Sequence, residues 1–213
     1  MRIYKGVIFD LDGVICHTDK YHYQAWKALA DRLGVAFDEV KNNRLRGVSR
    51  MESLAIVLED YGKPLTDAEK TALASEKNAQ YVRLLQDMTP ADLPDEVSGT
   101  LKTLKNAELK LAIGSSSRNA RLILERIGLG TFFDAISDGN NITRSKPDPE
   151  VFLKAAGFIG LTPSDCLVVE DAKAGIEAAA AGGFDSAGIG DARDLAKYPL
   201  GTFADLTEVT ANG

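Results

Sequence analysis

Three short apolar runs punctuate the chain, and each ends in polar, chemically capable residues. Val7-Ile8-Phe9 runs into Asp10, Leu111-Ala112-Ile113 into Gly114 and three serines, and Leu167-Val168-Val169 into Glu170-Asp171. Unbroken runs of this length predict strands buried on both faces of a parallel sheet. Weaker runs predict a short strand at Ala135-Ile136 and another at Ala187 to Ile189. Between the runs the apolar period becomes helical. Ala120, Ile123, Leu124 and Ile127 form one stripe, stopped by Gly128; Phe152, Ala155, Ala156 and Ile159 form another, stopped by Gly160. This alternation predicts an α/β fold, a doubly wound parallel-sheet, Rossmann-like core.

The alternation breaks between residues 17 and 89, where only helical stripes occur. Trp26, Leu29, Ala30 and Leu33 end at Gly34; Met51, Leu54, Ala55 and Leu58 end at Gly62 and Pro64; Tyr81, Leu84, Leu85 and Met88 close a long helix before Pro90. Thr66 and Glu69 have capping-box spacing. The pattern predicts an all-helical cap domain, residues 17–89, inserted into a core of residues 1–16 and 90–213. An insertion has two connectors, and two connectors make a hinge.

Composition changes this picture little. The 213 residues include 45% apolar and 26% charged side chains, ordinary for a globular chain. The net charge of −6 speaks against nucleic acid or an anionic membrane as main partner, since both reward a basic surface. A small anionic substrate needs only a few local cations. No run of about 18 apolar residues occurs, and Asp10 and Asp12 interrupt the one early apolar stretch, so neither a spanning helix nor a signal peptide is expected. Cys16 and Cys166 form no metal-binding pattern. A cytoplasmic monomer with two reduced thiols is the expectation.

In an open α/β sheet, ligands bind beyond the carboxyl ends of the strands. Those ends deliver Asp10, Asp12, the serine loop, Glu170 and Asp171, and the loop before a helix adds Lys146, next to Pro147. Four neighbouring carboxylates repel one another unless a cation joins them. Hard oxygen donors with open positions suit Mg²⁺ together with a substrate phosphate. An aspartate so placed is a candidate nucleophile, and a second one two residues on is a candidate general acid and base. A serine hydroxyl and a lysine ammonium suit the oxygens of a transferring phosphoryl group. Ser116 and Ser117 leave open which hydroxyl serves. Glu170 either ligates the ion or steadies a neighbour, with Asp171 the better ligand.

Asp10-Leu11-Asp12-Gly13-Val14, Ser115, Lys146-Pro147 and Glu170-Asp171, in that order, resemble the four motifs of haloacid dehalogenase-like phosphotransferases across essentially the whole chain. The resemblance implies catalysis by Asp10 and Asp12 and Mg²⁺ held by Asp10, Asp12, Glu170 and Asp171. The helical insertion resembles that family's small cap.

The cap narrows the resemblance. Gly47-Val48-Ser49-Arg50, with Ser53 beyond it, is similar to the cap of β-phosphoglucomutases, as are His22, Trp26 and Lys77. It implies that Arg50 grips the phosphate not being transferred, that His22 bonds near the catalytic aspartate and sugar, that Lys77 approaches the substrate, and that Thr18 lies at the hinge. Ser115-Ser116-Ser117-Arg118-Asn119 is similar to the same family's phosphate loop. Trp26 reads as cap core before sugar contact, and a helix-surface histidine is the plain alternative for His22. The implied activity interconverts β-glucose 1-phosphate and glucose 6-phosphate through an aspartyl phosphate and a bisphosphate intermediate, with a bisphosphate primer. The alternative is a Mg²⁺-dependent sugar-phosphate phosphatase with the same core. A phospho-acceptor signalling module would place its aspartate later in the chain and lack the helical insertion.

Overall fold

The computed structural model describes residues 3–45 and 48–212. Its centre is a six-stranded, all-parallel sheet in the order β3-β2-β1-β4-β5-β6. The strands are β1 (Gly6–Phe9), β2 (Lys110–Gly114), β3 (Ala135–Ser137), β4 (Cys166–Glu170), β5 (Asp185–Gly188) and β6 (Tyr198–Pro199). The three strong apolar runs are thus the three central strands, where both faces are buried.

Alternate residues of those strands feed two cores, as a strand period of two requires. Val7, Phe9, Leu111, Ile113, Leu167 and Val169 pack under α5 (Asp95–Asn106), α6 (Ala120–Arg126) and α9 (Leu206–Asn212). Ile8, Ala112 and Val168 face α7 (Glu150–Phe158) and α8 (Lys173–Ala181) on the other side. The sheet is therefore doubly wound. The α5 helix, with Val97, Leu101 and Leu104 buried, was not anticipated, because Ser98, Gly99 and Thr100 break up its apolar stripe.

Residues between β1 and α5 contain no strand among those described. They form α1 (Asp19–Leu33), α2 (Glu39–Asn43), α3 (Arg50–Val57) and α4 (Asp67–Leu85). Gly34 ends α1 in the left-handed region, and the capping box of Thr66 and Glu69 starts α4. Trp26, Leu29, Ala30, Leu54, Val57 and Ala74 make a separate small core. The expected stripe on α3 is displaced. Met51 and Ala55 are exposed while Ser53, Leu54 and Val57 are buried, because α3 packs on α4 through Leu54 and Val57. The roots of α1 and α4 (Tyr21, Ala25, Tyr81 and Leu85) join the core of the sheet.

Candidate active site

β1 lies between β2 and β4, so successive strands depart to one side and return on the other. That reversal opens a crevice at the carboxyl ends of the central strands. β1 leads into Asp10, β2 into Ser115, and β4 ends in Glu170 before Asp171. Lys146 enters from the loop before α7, beside a cis peptide bond to Pro147. Its ammonium donates to Asp10 Oδ1 and, at 2.5 Å, to Glu170 Oε1, with the Phe152 ring 4.7 Å away. The other Glu170 oxygen accepts the N–H groups of Asp171 and Ala172 at 3.0 Å each. Both Glu170 oxygens are therefore engaged, and its observed work is to hold Lys146 and the turn after β4.

Two glycines let these groups approach. A Cβ on Gly175 of α8 would lie 1.9 Å from Glu170 Oε1. Gly13, at φ +93°, brings the chain after β1 against Asp171, where a Cβ would lie 2.1 Å from Oδ2. Any side chain there would displace Asp171 and also strain the backbone.

Burial dominates the charge balance. It pushes the Asp10 carboxyl well above the usual carboxylate range; Lys146 pulls the other way, while Glu170, Asp171 and Asp12 push further up. Burial also raises Asp12 to about 6, opposed by the Thr18 hydroxyl, which donates to Asp12 Oδ1. Burial alone would lower the Lys146 ammonium, but Asp10 and Glu170 together outweigh it and hold it charged. Among the described residues, no three His, Cys, Asp or Glu side chains gather as a ready-made metal cage. The donors at the strand ends are carboxylate oxygens, the hard kind that Mg²⁺ takes, one or two at a time, alongside waters or phosphate.

The serine loop is built from nested turns. Ser115 N–H continues the sheet ladder to Ser137 O, Ser117 N–H donates to Ser115 Oγ, and Asn119 N–H donates to Ser117 Oγ. Each of those hydroxyl oxygens accepts a backbone bond and keeps its proton for a ligand. The Ser116 hydroxyl is buried without a hydrogen-bond partner. Arg118 is exposed. Asn119 Nδ2 donates to Asn78 Oδ1 of α4 at 2.9 Å, tying the loop to the helical insertion.

From that insertion, His22, Lys77 and Arg50 reach the same space. Lys77 is buried, with Nζ 2.9 Å from His22 Nδ1 and 4.6 and 4.5 Å from the ring centres of Trp26 and Tyr81. Burial, reinforced by Arg50, lowers its ammonium to about 7. Burial also holds the His22 imidazole well below its usual value, aided by Lys77 and Arg50. Arg50 begins α3 and feels Arg118; among the described residues no carboxylate pairs with either guanidinium. Ser49 caps α3, its oxygen accepting Glu52 N–H, and Val48 precedes it at the cleft; Ser53 is buried on the cleft side of the same helix. Trp26 borders the cleft and is 2% exposed, within the small helical core, its ring 4.6 Å from the Lys77 ammonium. Thr18 is fully buried beneath Asp12, and Gly47 lies outside the described residues.

Sequence reasoning missed two contributors. Tyr81 was read only as part of a helix stripe, yet its ring stacks 4.0 Å from that of His22. Glu150 accepts Thr143 N–H, Thr143 Oγ1 and Arg144 N–H through one oxygen, pinning the loop that carries Lys146. Its position at the start of α7, just after Lys146-Pro147, was the available signal.

Asp10, Ser115, Lys146, His22, Arg50 and Lys77 border one cleft of about 1140 Å³ between the sheet and the helical insertion. No helix among the described residues is long and apolar enough to cross a membrane. The haloacid dehalogenase-like hydrolase model matches residues 4–183. The chain is 42% identical over 193 residues to a β-phosphoglucomutase of Bacillus subtilis, spanning 90% of this chain and 85% of that protein. It is 31% identical to a phosphorylated carbohydrates phosphatase of Thermotoga maritima, over 85% of this chain and 82% of the relative. A crystal structure of β-phosphoglucomutase from Clostridium difficile superposes with a TM-score of 0.90 at 36% identity, covering 96% of this chain and 93% of that one. With the motif order, the sheet and the strand-end cluster in agreement, the chain belongs to the haloacid dehalogenase-like hydrolase family.

Proposed function

We propose that the protein is a phosphosugar mutase of the β-phosphoglucomutase type, interconverting β-glucose 1-phosphate and glucose 6-phosphate. The observation that carries this is the separation of two cationic groups within one cleft. Lys146 is committed to Asp10 and Glu170, at the phosphoryl-transfer end. Arg50 and Arg118 have no carboxylate partner among the described residues and repel one another. An anion between them relieves that repulsion, and a guanidinium binds phosphate in a bidentate fork. A hydrolase acting on one phosphate needs only the first end; a bisphosphate intermediate needs both. The likeness to mutases from two organisms supports the same reading.

In this reading Asp10 attacks phosphorus; the bond to the sugar oxygen breaks as the aspartyl phosphate forms, and Asp12 gives the leaving oxygen its proton. In the reverse half-reaction Asp12 takes a proton from the other sugar hydroxyl as that oxygen attacks the phosphoryl group. Ser115 and Lys146 hold the equatorial oxygens in flight. Mg²⁺ would be held by carboxylate oxygens of Asp10 and Asp171, with Asp12 and Glu170, restrained by Thr18 and Lys146, as the further candidates. Bound there, the ion would neutralise charge on the transferring group. Residues 17–89 act as the cap and swing about the connectors at Thr18 and near Pro90. Closure excludes water and assembles the site only over a sugar. In this reading the protein works as a monomer on hexose phosphates in the cytoplasm, started by a bisphosphate primer.

The phosphatase among the relatives favours one rival, a sugar-phosphate phosphatase in which water attacks the aspartyl phosphate. The deciding assay supplies Mg²⁺, a trace of glucose 1,6-bisphosphate and either anomer of glucose 1-phosphate. Glucose 6-phosphate formed from the β-anomer is the expected product. Inorganic phosphate alone sinks the mutase reading in favour of the phosphatase.

A further inference from the structure

The serine loop is gripped from its flank by the turn that follows β3. Ser115 N–H donates to Ser137 O at 3.0 Å, Gly139 N–H to Ser117 O at 3.1 Å, and Asn140 Nδ2 to Arg118 O at 2.9 Å. The grip thus reaches Ser115, Ser117 and Arg118 in order. The gripping turn is itself braced. Asn141 Oδ1 accepts Asp138 N–H and the Ser137 hydroxyl, Asn141 N–H donates to Asp138 O, and Asp138 Oδ1 accepts Asn140 N–H. Ser137 and Asp138 are buried, so this local network is shielded from water and holds the turn in one shape.

Gly139 lies where the two segments touch. A Cβ there would stand 2.5 Å from the Ser116 carbonyl oxygen, 2.9 Å from Arg118 Cγ and 3.1 Å from Arg118 N. The stem of Arg118 therefore runs across the bare face of Gly139. A backbone carbonyl cannot swing aside as the end of a side chain can, so a side chain at this position has to move the serine loop. The loop does not yield evenly. Ser115 continues the ladder of β2, where Gly114 pairs with Ser137. Ser116 to Arg118 hang from Gly139, Asn140 and the Ser115 hydroxyl. Displacement falls on Arg118, while Ser115 keeps its place at the transfer end.

We infer that Gly139 and Asn140 are positioning residues that aim Arg118: the glycine seats its stem, the asparagine fixes its carbonyl, and the guanidinium is held on the cleft beside that of Arg50, ready for the distal phosphate. This rests on the mutase reading above, which gives the two guanidiniums to the phosphate that is not transferred. Aim matters because Arg118 is exposed, and a long side chain free in solvent loses rotamer entropy when it grips an anion. A stem already laid on Gly139 has given up part of that freedom before the substrate arrives.

Gly139→Ala should raise KM for β-glucose 1-phosphate about tenfold with kcat within about twofold, and leave phosphorylation of Asp10 by acetyl phosphate within about twofold. Asn140→Ala adds no atom and removes one exposed bond, so it should raise KM about threefold at an unchanged melting temperature. It decides the matter alone should Gly139→Ala fail to fold. Arg118→Ala removes what is aimed, so either change on that background should cost KM no further. Additive losses overturn the inference, as does an equal fall with the sugar phosphate and acetyl phosphate. A lowered melting temperature with KM unchanged also overturns it, since that marks a purely structural turn. If the wild-type protein releases inorganic phosphate and forms no glucose 6-phosphate, the mutase reading fails on its own. The Arg118 cycle is then run on phosphate release from glucose 6-phosphate, where non-additivity still ties Gly139 and Asn140 to Arg118 and additivity severs them.

Discussion

The ammonium of Lys77 stands 2.9 Å from Nδ1 of His22, and the contact fixes what the imidazole offers to the cleft. In its ammonium form Lys77 has only donors, so Nδ1 then accepts and the neutral ring carries its proton on Nε2. His22 thus presents one N–H donor, its ring packed at 4.0 Å and 30° against that of Tyr81. The two residues lie 55 positions apart, on α1 and α4.

The burial of Lys77 makes stability depend on pH. Burial and Arg50 lower Lys77 to about 7 in the folded protein, whereas an unfolded lysine titrates near ~10.4. Between those values the unfolded chain binds more protons than the folded one, so Lys77 makes stability rise as pH increases from about 7 toward 10. Below 7 its full cost remains. Urea unfolding of the wild type and of Lys77→Met at pH 6.5 and 9 isolates the effect: the stability gap between them should shrink or reverse toward the wild type at pH 9. Parallel curves would refute the assignment.

Lys146 has the opposite character. It is buried between Asp10 and Glu170, and removing one member of such a group leaves charge stranded in the interior. Lys146→Met should cost about 3 kcal/mol in urea unfolding and reduce turnover by about three orders of magnitude, through the lost clamp on the transferring phosphoryl group. An active, fully stable variant would mean that the two carboxylates manage without it.

The close approach of α8 to β4 gives a test by a single methyl group. Gly175→Ala places a carbon 1.9 Å from Glu170 Oε1, far inside van der Waals contact. Glu170 must move, and Lys146 with it. Destabilisation of about 1–3 kcal/mol is expected, with a loss of activity larger than Gly157→Ala gives in α7, where an added Cβ meets nothing within 4 Å.

Strand-end chemistry was readable because it is local. Asp10, Ser115 and Glu170 directly follow or end runs whose burial on both faces is written in continuous apolar residues. The helical stripes of α1, α6 and α7 were readable for the same reason. What escaped depends on distant residues meeting. On α3 the expected stripe of Met51, Leu54, Ala55 and Leu58 shares only Leu54 with the fully buried set of Ser53, Leu54 and Val57, and packing on α4 decides which face turns inward. The β6 strand is two residues long, too short for a period. That Glu170 spends both oxygens on Lys146 and the following turn, and that Trp26 cages Lys77, follow from tertiary placement that no spacing encodes.

Glu150 predicts an acid limit to the loop carrying Lys146. Lys154 first, then the Arg144 N–H and the Thr143 hydroxyl, lower its carboxyl to about 2. A folded value below the unfolded one means a contribution present above about 4.3 and lost as pH falls toward 2. Glu150→Gln should lose part of the wild type's decline in stability over that range and weaken activity at neutral pH by loosening the Thr143–Lys146 segment. Identical acid unfolding profiles for the two proteins would detach Glu150 from the loop.

Arg50 tests the two-ended cleft most directly. It begins α3 with its guanidinium toward Arg118 and without a carboxylate partner among the described residues. Arg50→Ala deletes a charge-assisted, bidentate contact to the distal phosphate, so kcat/KM for β-glucose 1-phosphate should fall about 10- to 100-fold. Arg50→Lys keeps the charge without the fork and should recover only part of that loss. Phosphoryl transfer from acetyl phosphate to Asp10 has no distal phosphate to lose, so its rate should stay within about twofold in both variants. An equal fall with both donors would place Arg50 at the transfer end and remove the ground for two separate phosphate sites. A fall confined to the sugar phosphate ties the far end of the cleft to the bisphosphate intermediate, because a bisphosphate has to anchor one phosphate there while Asp10 handles the other.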